Sequence, residues 1–418
     1  MKISKMKIKV AGLCLLTWAF VSTSCSDYLD KTPDDATSIT LEEVFSSEIY
    51  TERFLLRAYD YLPCETNYND NDYWALGAWS GASDEMNITW TYPMAKEMNR
   101  GSWNPKMLEG SSSQGTSYAM WWRYYEGIRQ CNVFLENIDL CPAAQATKNV
   151  WICEARFMRA MLHFFLLRSH GPIPIMDHAL KMDDEMTYFP RNTFDQCVDF
   201  IVSDCQYGID GALPMIYTNA SGTVAESLYG RATKAAAYAL KARVLLYAAS
   251  PLMNGNDDAY AQQMTNRDGK RLLNPVYDNS KWAKAAAACK DVMGLGVYHI
   301  YTADFRSTHS IAFPATIAPP IHPEYSYKNF PEGWQNIDPF ESYRSLFNGQ
   351  VTAMDNPELI FTRGKNISGE RIKDMVIHQL PTVAKGWNTH GATMKQVDAY
   401  YMSDGTDCPG MNSEYAGK

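Results

Sequence analysis

The residues of this sequence best suited to binding chemistry are aromatic and hydrogen-bonding side chains gathered in loops. Trp74, Trp79, Trp90, Tyr92 and Trp103 fall within residues 64–117, with Asn99, Arg100 and Asn104 close to the last of them. Aromatic faces stack on the apolar faces of sugar rings or on peptide side chains, while Arg and Asn supply directional hydrogen bonds to hydroxyls or carbonyls. Carbohydrate binding fits that combination. A second group, Tyr325, Tyr327, Phe330 and Trp334, lies in a stretch broken by prolines. Trp90, Arg100, Trp103, Asn104, Tyr325 and Trp334 are the candidate ligand contacts. For any single tryptophan the competing use is to anchor its loop to the core.

Other chemistries lack their residues. The eight histidines form no HExxH or other close ligand set, which leaves zinc catalysis without support. There is no GxSxG elbow, no P-loop and no glycine-rich dinucleotide fingerprint after a strand. Asn67, Asn69, Asn71 and Asp72 resemble the start of a calcium loop, but Asp72 stands where glycine is required and Ala78 where glutamate is required. Asp183-Asp184-Glu185 are adjacent in sequence, which says nothing of the spatial separation that glycoside hydrolysis demands. No catalytic residue, metal or cofactor is expected, and an enzyme is the remotest reading.

These loops need a frame, and the pattern supplies a helical one. In EARFMRAMLHFFLLRSHGPIPI, residues 154–175, apolar residues surround the helical wheel, as expected of a helix packed on several sides. Gly171, Pro172 and Pro174 end it. Arg156, Arg159 and His163 form one stripe on it, more suited to a structural hydrogen-bonding seam than to an active site. Thr40 and Glu43 make a capping box opening a helix to about Leu62. Helices are also predicted from Tyr118 to about Ile138, from Thr193 to about Ile209 and from Thr233 to Ala249. In the last of these, alanines leave a shallow face for close packing, and Ala285 to Ala288 repeat it. VYHIY (297–301) and ELIFTR (358–363) look like short strands. The expected fold is mainly α: a tetratricopeptide-like helical-pair scaffold with long irregular loops and a few short strands.

Lys2, Lys5, Lys7 and Lys9 precede an apolar run from Val10 to Val21 and the small residues Ser22-Thr23-Ser24, an export signal. The run falls well short of the ~20 residues that span a bilayer. Cys25 at the cleavage point suggests a lipoprotein signal, with Cys25 lipidated and holding the protein to a membrane without crossing it. Removing the four lysines of residues 1–24 from the 38 basic residues leaves 34 against 47 acidic ones, a net charge of −13. Nucleic acid is therefore excluded as a partner. The aromatic share of 13% suits gripping flat ligands, and 46% hydrophobic residues suffice for a large core. The cysteines beyond Cys25 show no CxxC pair, and most of them read as small buried hydrophobes.

Several segments, in order, carry a family resemblance. Residues 154–175 and GRATKAAAYALKARVLLYAASPL (230–252) resemble the two strongest signatures of the SusD/RagB family of outer-membrane lipoproteins from Bacteroidetes. WWRYYEGIRQCNVFLENI from Trp121, RNTFDQCVDFIVSDC from Arg191, NPELIFTR from Asn356 and VDAYYMSDG from Val397 are similar to further family segments. The resemblance implies a non-catalytic surface protein that captures oligo- or polysaccharide and delivers it to a SusC-like TonB-dependent transporter, lipid-anchored at the cell surface of the outer membrane. Capture of peptide-derived nutrients, or a scaffold subunit that binds no nutrient, are its alternatives. Ser83-Asp84-Glu85-Met86 resembles the segment after which the starch-binding member places a glucan-contacting Arg and Trp, for which Arg100 and Trp103 are the matching candidates. The implied organisation is a signal peptide (1–24), a tether (25–39), an N-terminal helical domain (40–230) with the ligand loop 64–117, and an incomplete C-terminal domain (231–418). The family continues past the VDAYYMSDG segment, so a C-terminal truncation is expected.

Overall fold

The computed structural model describes residues 39–63, 78–89, 94–102, 104, 120–181, 189–304, 321–362 and 377–400. Thr40 opens α1 (Leu41–Phe45), its hydroxyl accepting from the Glu43 amide while the Glu43 carboxylate accepts from the Thr40 amide. The single helix expected to Leu62 is broken. Ser46 bonds back to the Glu43 carbonyl at 2.9 Å, Ser47 is extended (φ −120°), and the chain restarts as α2 (Glu48–Leu56) before a 3₁₀ turn at Arg57–Tyr61. The break rolls Phe45 fully inward, against Phe54 and Phe134. Serines favour such local bonding over helix interior.

The excursion 64–117 is not loop throughout its described part. It contains α3 (Ala78–Gly81), β1 (Met86–Ile88) and α4 (Met94–Asn99). Five long helices then make the frame: α5 (Met120–Asn137), α6 (Gln145–His170), α7 (Phe194–Asp210), α8 (Lys234–Ala249) and, after the short α9 (Ala259–Gln263), α10 (Ser280–Met293). Each packs on the next in the series, α8 on α10 through buried Ala285 and Ala288. Small side chains permit that close approach.

α6 is the centre, as its apolar circumference predicts. Phe157, Met158, Leu162 and Leu166 are wholly buried in a core that runs continuously from Ala58 to Leu273 and is touched by Phe361. Each such side chain contributes roughly 1.5–3 kcal/mol. Gly171, at φ 71°, stops α6 with its amide on the Leu167 carbonyl. No helix among the described residues is long and apolar enough to cross a membrane.

Strands are few and short: β1 pairs with β4 (His390–Ala392), and β2 (Ala303–Asp304) with β3 (Ile337–Asp338), both antiparallel. β3 leads into α11 (Pro339–Phe347), and α12 (Met394–Asp398) follows β4. Of the strands expected at 297–301 and 358–363, neither forms in its described residues, 297–301 and 358–362. His299 N–H reaches the Pro357 carbonyl at 3.3 Å, but Pro357 lacks an amide, and those of Glu358 and Leu359 are spent on Asn356. That contact therefore does not extend into a ladder at Pro357–Leu359. Cys131, Cys141, Cys153, Cys197 and Cys205 are buried thiols as expected, whereas Cys289 is exposed.

Candidate ligand-binding site

The stripe on α6 is structural. Arg159 donates to both oxygens of Asp204 and to the Asn132 side-chain oxygen at 2.9 Å. His163 sits with Nδ1 2.8 Å from the Arg159 carbonyl and accepts the Met176 amide at Nε2, so its ring is neutral; burial holds its pKa down to about 4. Earlier on the same helix the buried Glu154 carboxylate accepts from Tyr59 and Tyr217 hydroxyls at 2.9 and 3.0 Å and from Arg231 at 2.9 Å. Burial raises the Glu154 pKa, and the Arg231 guanidinium opposes that rise.

Of the candidate residues, Arg100 and Asn104 come together at the turn ending α4. Gly101, at φ 71°, reverses the chain there, and Ser102 bonds back to Glu97. Arg100 is exposed and 3.5 Å from Glu97; Asn104 is exposed and donates to the Ser102 carbonyl. Trp90, Trp103 and the lipidation candidate Cys25 lie outside the described residues. Trp79 is a loop anchor, packed on the core with the Arg168 guanidinium 5.2 Å over its ring.

A distant segment clasps this unit. Beyond the β1–β4 pairing, the Thr89 amide donates to the Thr389 carbonyl at 2.8 Å and the Thr393 amide to the Glu85 carbonyl at 3.0 Å. Lys395 pairs with Asp84, and its hydrogen bond lowers the Asp84 pKa. Inside the clasp the His378 and His390 rings stack at 5.2 Å, with Trp387 edge-on to His378 at 4.7 Å. Burial, helped by His378, holds His390 down to about 4.

Tyr325 and Trp334 are brought together in a second unit, the lobe 321–336. The Trp334 amide donates to the Tyr325 carbonyl at 3.0 Å and the Gln335 amide to the Lys328 carbonyl at 2.9 Å. Gly333 fits only because it has no Cβ, which would strike both of those carbonyl oxygens. Tyr325 is 47% exposed and stacks at 4.7 Å on His322, an aromatic plate that the sequence reading missed although the i, i+3 spacing was there to find. Tyr327 and Phe330 are exposed beside it. Among the described residues, Arg100 makes no hydrogen bond or ion pair with Tyr325 or Trp334. Apart from the lobe, residues of the NPELIF segment line a 220 Å³ pocket together with Tyr217, Tyr229 and Arg231.

A family model for SusD-like proteins, described as starch-binding and associating with the outer membrane, matches residues 27–246. The chain belongs to the SusD-like family. A SusD-like protein of Bacteroides ovatus is 29% identical over 293 residues, covering 66% of this chain and 47% of that one. The solved structure of a SusD-like protein from Bacteroides fragilis superposes with a TM-score of 0.55 at 23% identity, covering 87% of this chain and 54% of the other. A SusD-like carbohydrate binding protein from the same species gives 0.54 at 19% identity, covering 87% and 55%. Those likenesses show the fold, the helical tetratricopeptide-like scaffold of SusD-like structures. The chain spans about half the length of these relatives. At the level of the family, SusD-like proteins bind carbohydrate, are not enzymes, and associate with the outer membrane.

Proposed function

We propose that this SusD-like chain captures oligo- or polysaccharide at the cell surface without cleaving it and delivers it to a SusC-like TonB-dependent transporter, held to the outer membrane by lipid on Cys25. The observation that carries this reading is the lobe 321–336, where a stacked His322–Tyr325 pair and Trp334 are fixed by backbone bonds instead of being buried in the core. A half-exposed aromatic plate with its backbone locked offers a ring face at little cost in ordering. Arg100 and Asn104, exposed on the turn after α4, supply the hydroxyl-directed bonds, and Trp90 and Trp103 are the further stacking residues of this proposal. The proposed boundaries remain a helical domain over 40–230 and a C-terminal domain over 231–418.

Isothermal titration with maltoheptaose, laminarihexaose and xylohexaose tests the binding step. Heat with at least one glycan, lost on Tyr325→Ala with Trp334→Ala, is the expected result. Binding of peptides with no glycan response would overturn it. Co-purification of the lipid-anchored protein with a TonB-dependent transporter tests the delivery step.

A further inference from the structure

A second aromatic surface lies on α5. Trp122, Glu126 and Arg129 stand at i, i+4 and i+7 on one exposed face, and Trp122 is 47% exposed. Across from them Pro174, Met176 and Phe189 form the other wall of a 480 Å³ groove, within the ~300–1,000 Å³ usual for small-ligand sites. The groove is built rigidly. The Tyr125 hydroxyl in its floor donates to the Pro174 carbonyl at 2.7 Å, and Asn132 donates to the Met176 and His178 carbonyls while accepting from Arg159. Its far wall is thereby tied to the central ion pair of the core.

The rim says what fits. Glu126 and Arg129 make no ion pair among the described residues, so one acceptor and one donor set are free at the mouth. Together they carry no net charge, which matches a neutral ligand and disfavours an anionic lipid or phosphate. A neutral ligand that offers an apolar face to Trp122 and Phe189, and hydroxyls to both a carboxylate and a guanidinium, is a sugar ring. We propose that this groove is a second binding surface for neutral oligosaccharide, so that one long chain is held at two points. The proposal rests on the carbohydrate reading above but on other residues. Two weak contacts joined by one polymer gain by effective concentration, so retention of polysaccharide exceeds that of short chains.

The test uses the full chain carrying Tyr325→Ala and Trp334→Ala, titrated with maltoheptaose, laminarihexaose and xylohexaose. Weak residual binding is expected, abolished when Trp122→Ala is added and restored by Trp122→Phe, with an unchanged thermal midpoint showing that the fold is intact. In the otherwise wild-type chain, Trp122→Ala or Glu126→Gln should reduce retention in native gels containing the matching polysaccharide by about 10-fold or more. Residual binding indifferent to Trp122→Ala overturns the inference, as does a double variant that binds nothing while the wild type binds glycan. A wild-type chain that binds none of the three overturns both this inference and the capture reading.

Discussion

Arg159 on α6 grips Asp204 on α7 with two parallel bonds, Nε to one carboxylate oxygen at 2.7 Å and Nη2 to the other at 2.9 Å, and both side chains are buried. Removing one partner of such a pair strands a charge in the core. Asp204→Ala should cost about 3–5 kcal/mol in urea unfolding. A loss below about 1 kcal/mol would show that water reaches the site.

Glu154 joins α6 to Arg231 and to the Tyr59 and Tyr217 hydroxyls. Tyr217→Phe removes one bond and should cost about 1 kcal/mol. Glu154→Ala leaves the guanidinium unpaired on that side and should cost about 3 kcal/mol or more. The same unfolding measurement compares the two.

His163 is neutral in the fold because burial depresses its pKa to about 4. The unfolded chain takes up its proton near the usual ~6.5. The unfolded state therefore binds more protons in that window, and stability is lost as pH falls from about 6.5 through about 4. The loss from this group should approach ~3 kcal/mol. Between pH 7 and pH 4.5 the urea midpoint of His163→Gln should fall by less than that of the wild type.

Gly333 lies against the Tyr325 and Lys328 carbonyl oxygens. Gly333→Ala should open the lobe at a local cost of about 1–3 kcal/mol. Its signature is lost glycan affinity with a nearly unchanged global unfolding midpoint, since the lobe lies outside the main core.

Tyr325→Ala and Trp334→Ala should each weaken glycan binding by about 2- to 10-fold in titration, the range expected for loss of one aromatic stacking contact. Tyr325→Phe keeps the ring over His322 and should retain most of the affinity.

The helical frame was legible in the sequence because its signals are local. α6 announced itself by apolar residues all round and a Gly-Pro stop, and Thr193 with Gln196 caps α7 as a spacing of three requires. The first helix misled for a local reason too: its apolar period continues through Ser46 and Ser47, while the backbone does not. Of the candidate site, the sequence indicated the aromatic residues but not their grouping. Tyr325 and Trp334 meet through a turn that depends on Gly333, and His322 joins them by a stacking that composition does not reveal.

The positions of the long frame helices, family membership and the absence of recognisable catalytic motifs were determined by the sequence itself, since periodicity, capping and motif order act over a few residues at a time. Only the tertiary structure decided that Ile88 pairs with His390, that Glu154 meets Arg231, and that α5 turns Trp122, Glu126 and Arg129 toward a groove. Those contacts join residues far apart in the chain. Their existence depends on which surfaces close on one another once the helices pack, a matter of shape and burial that no local spacing records.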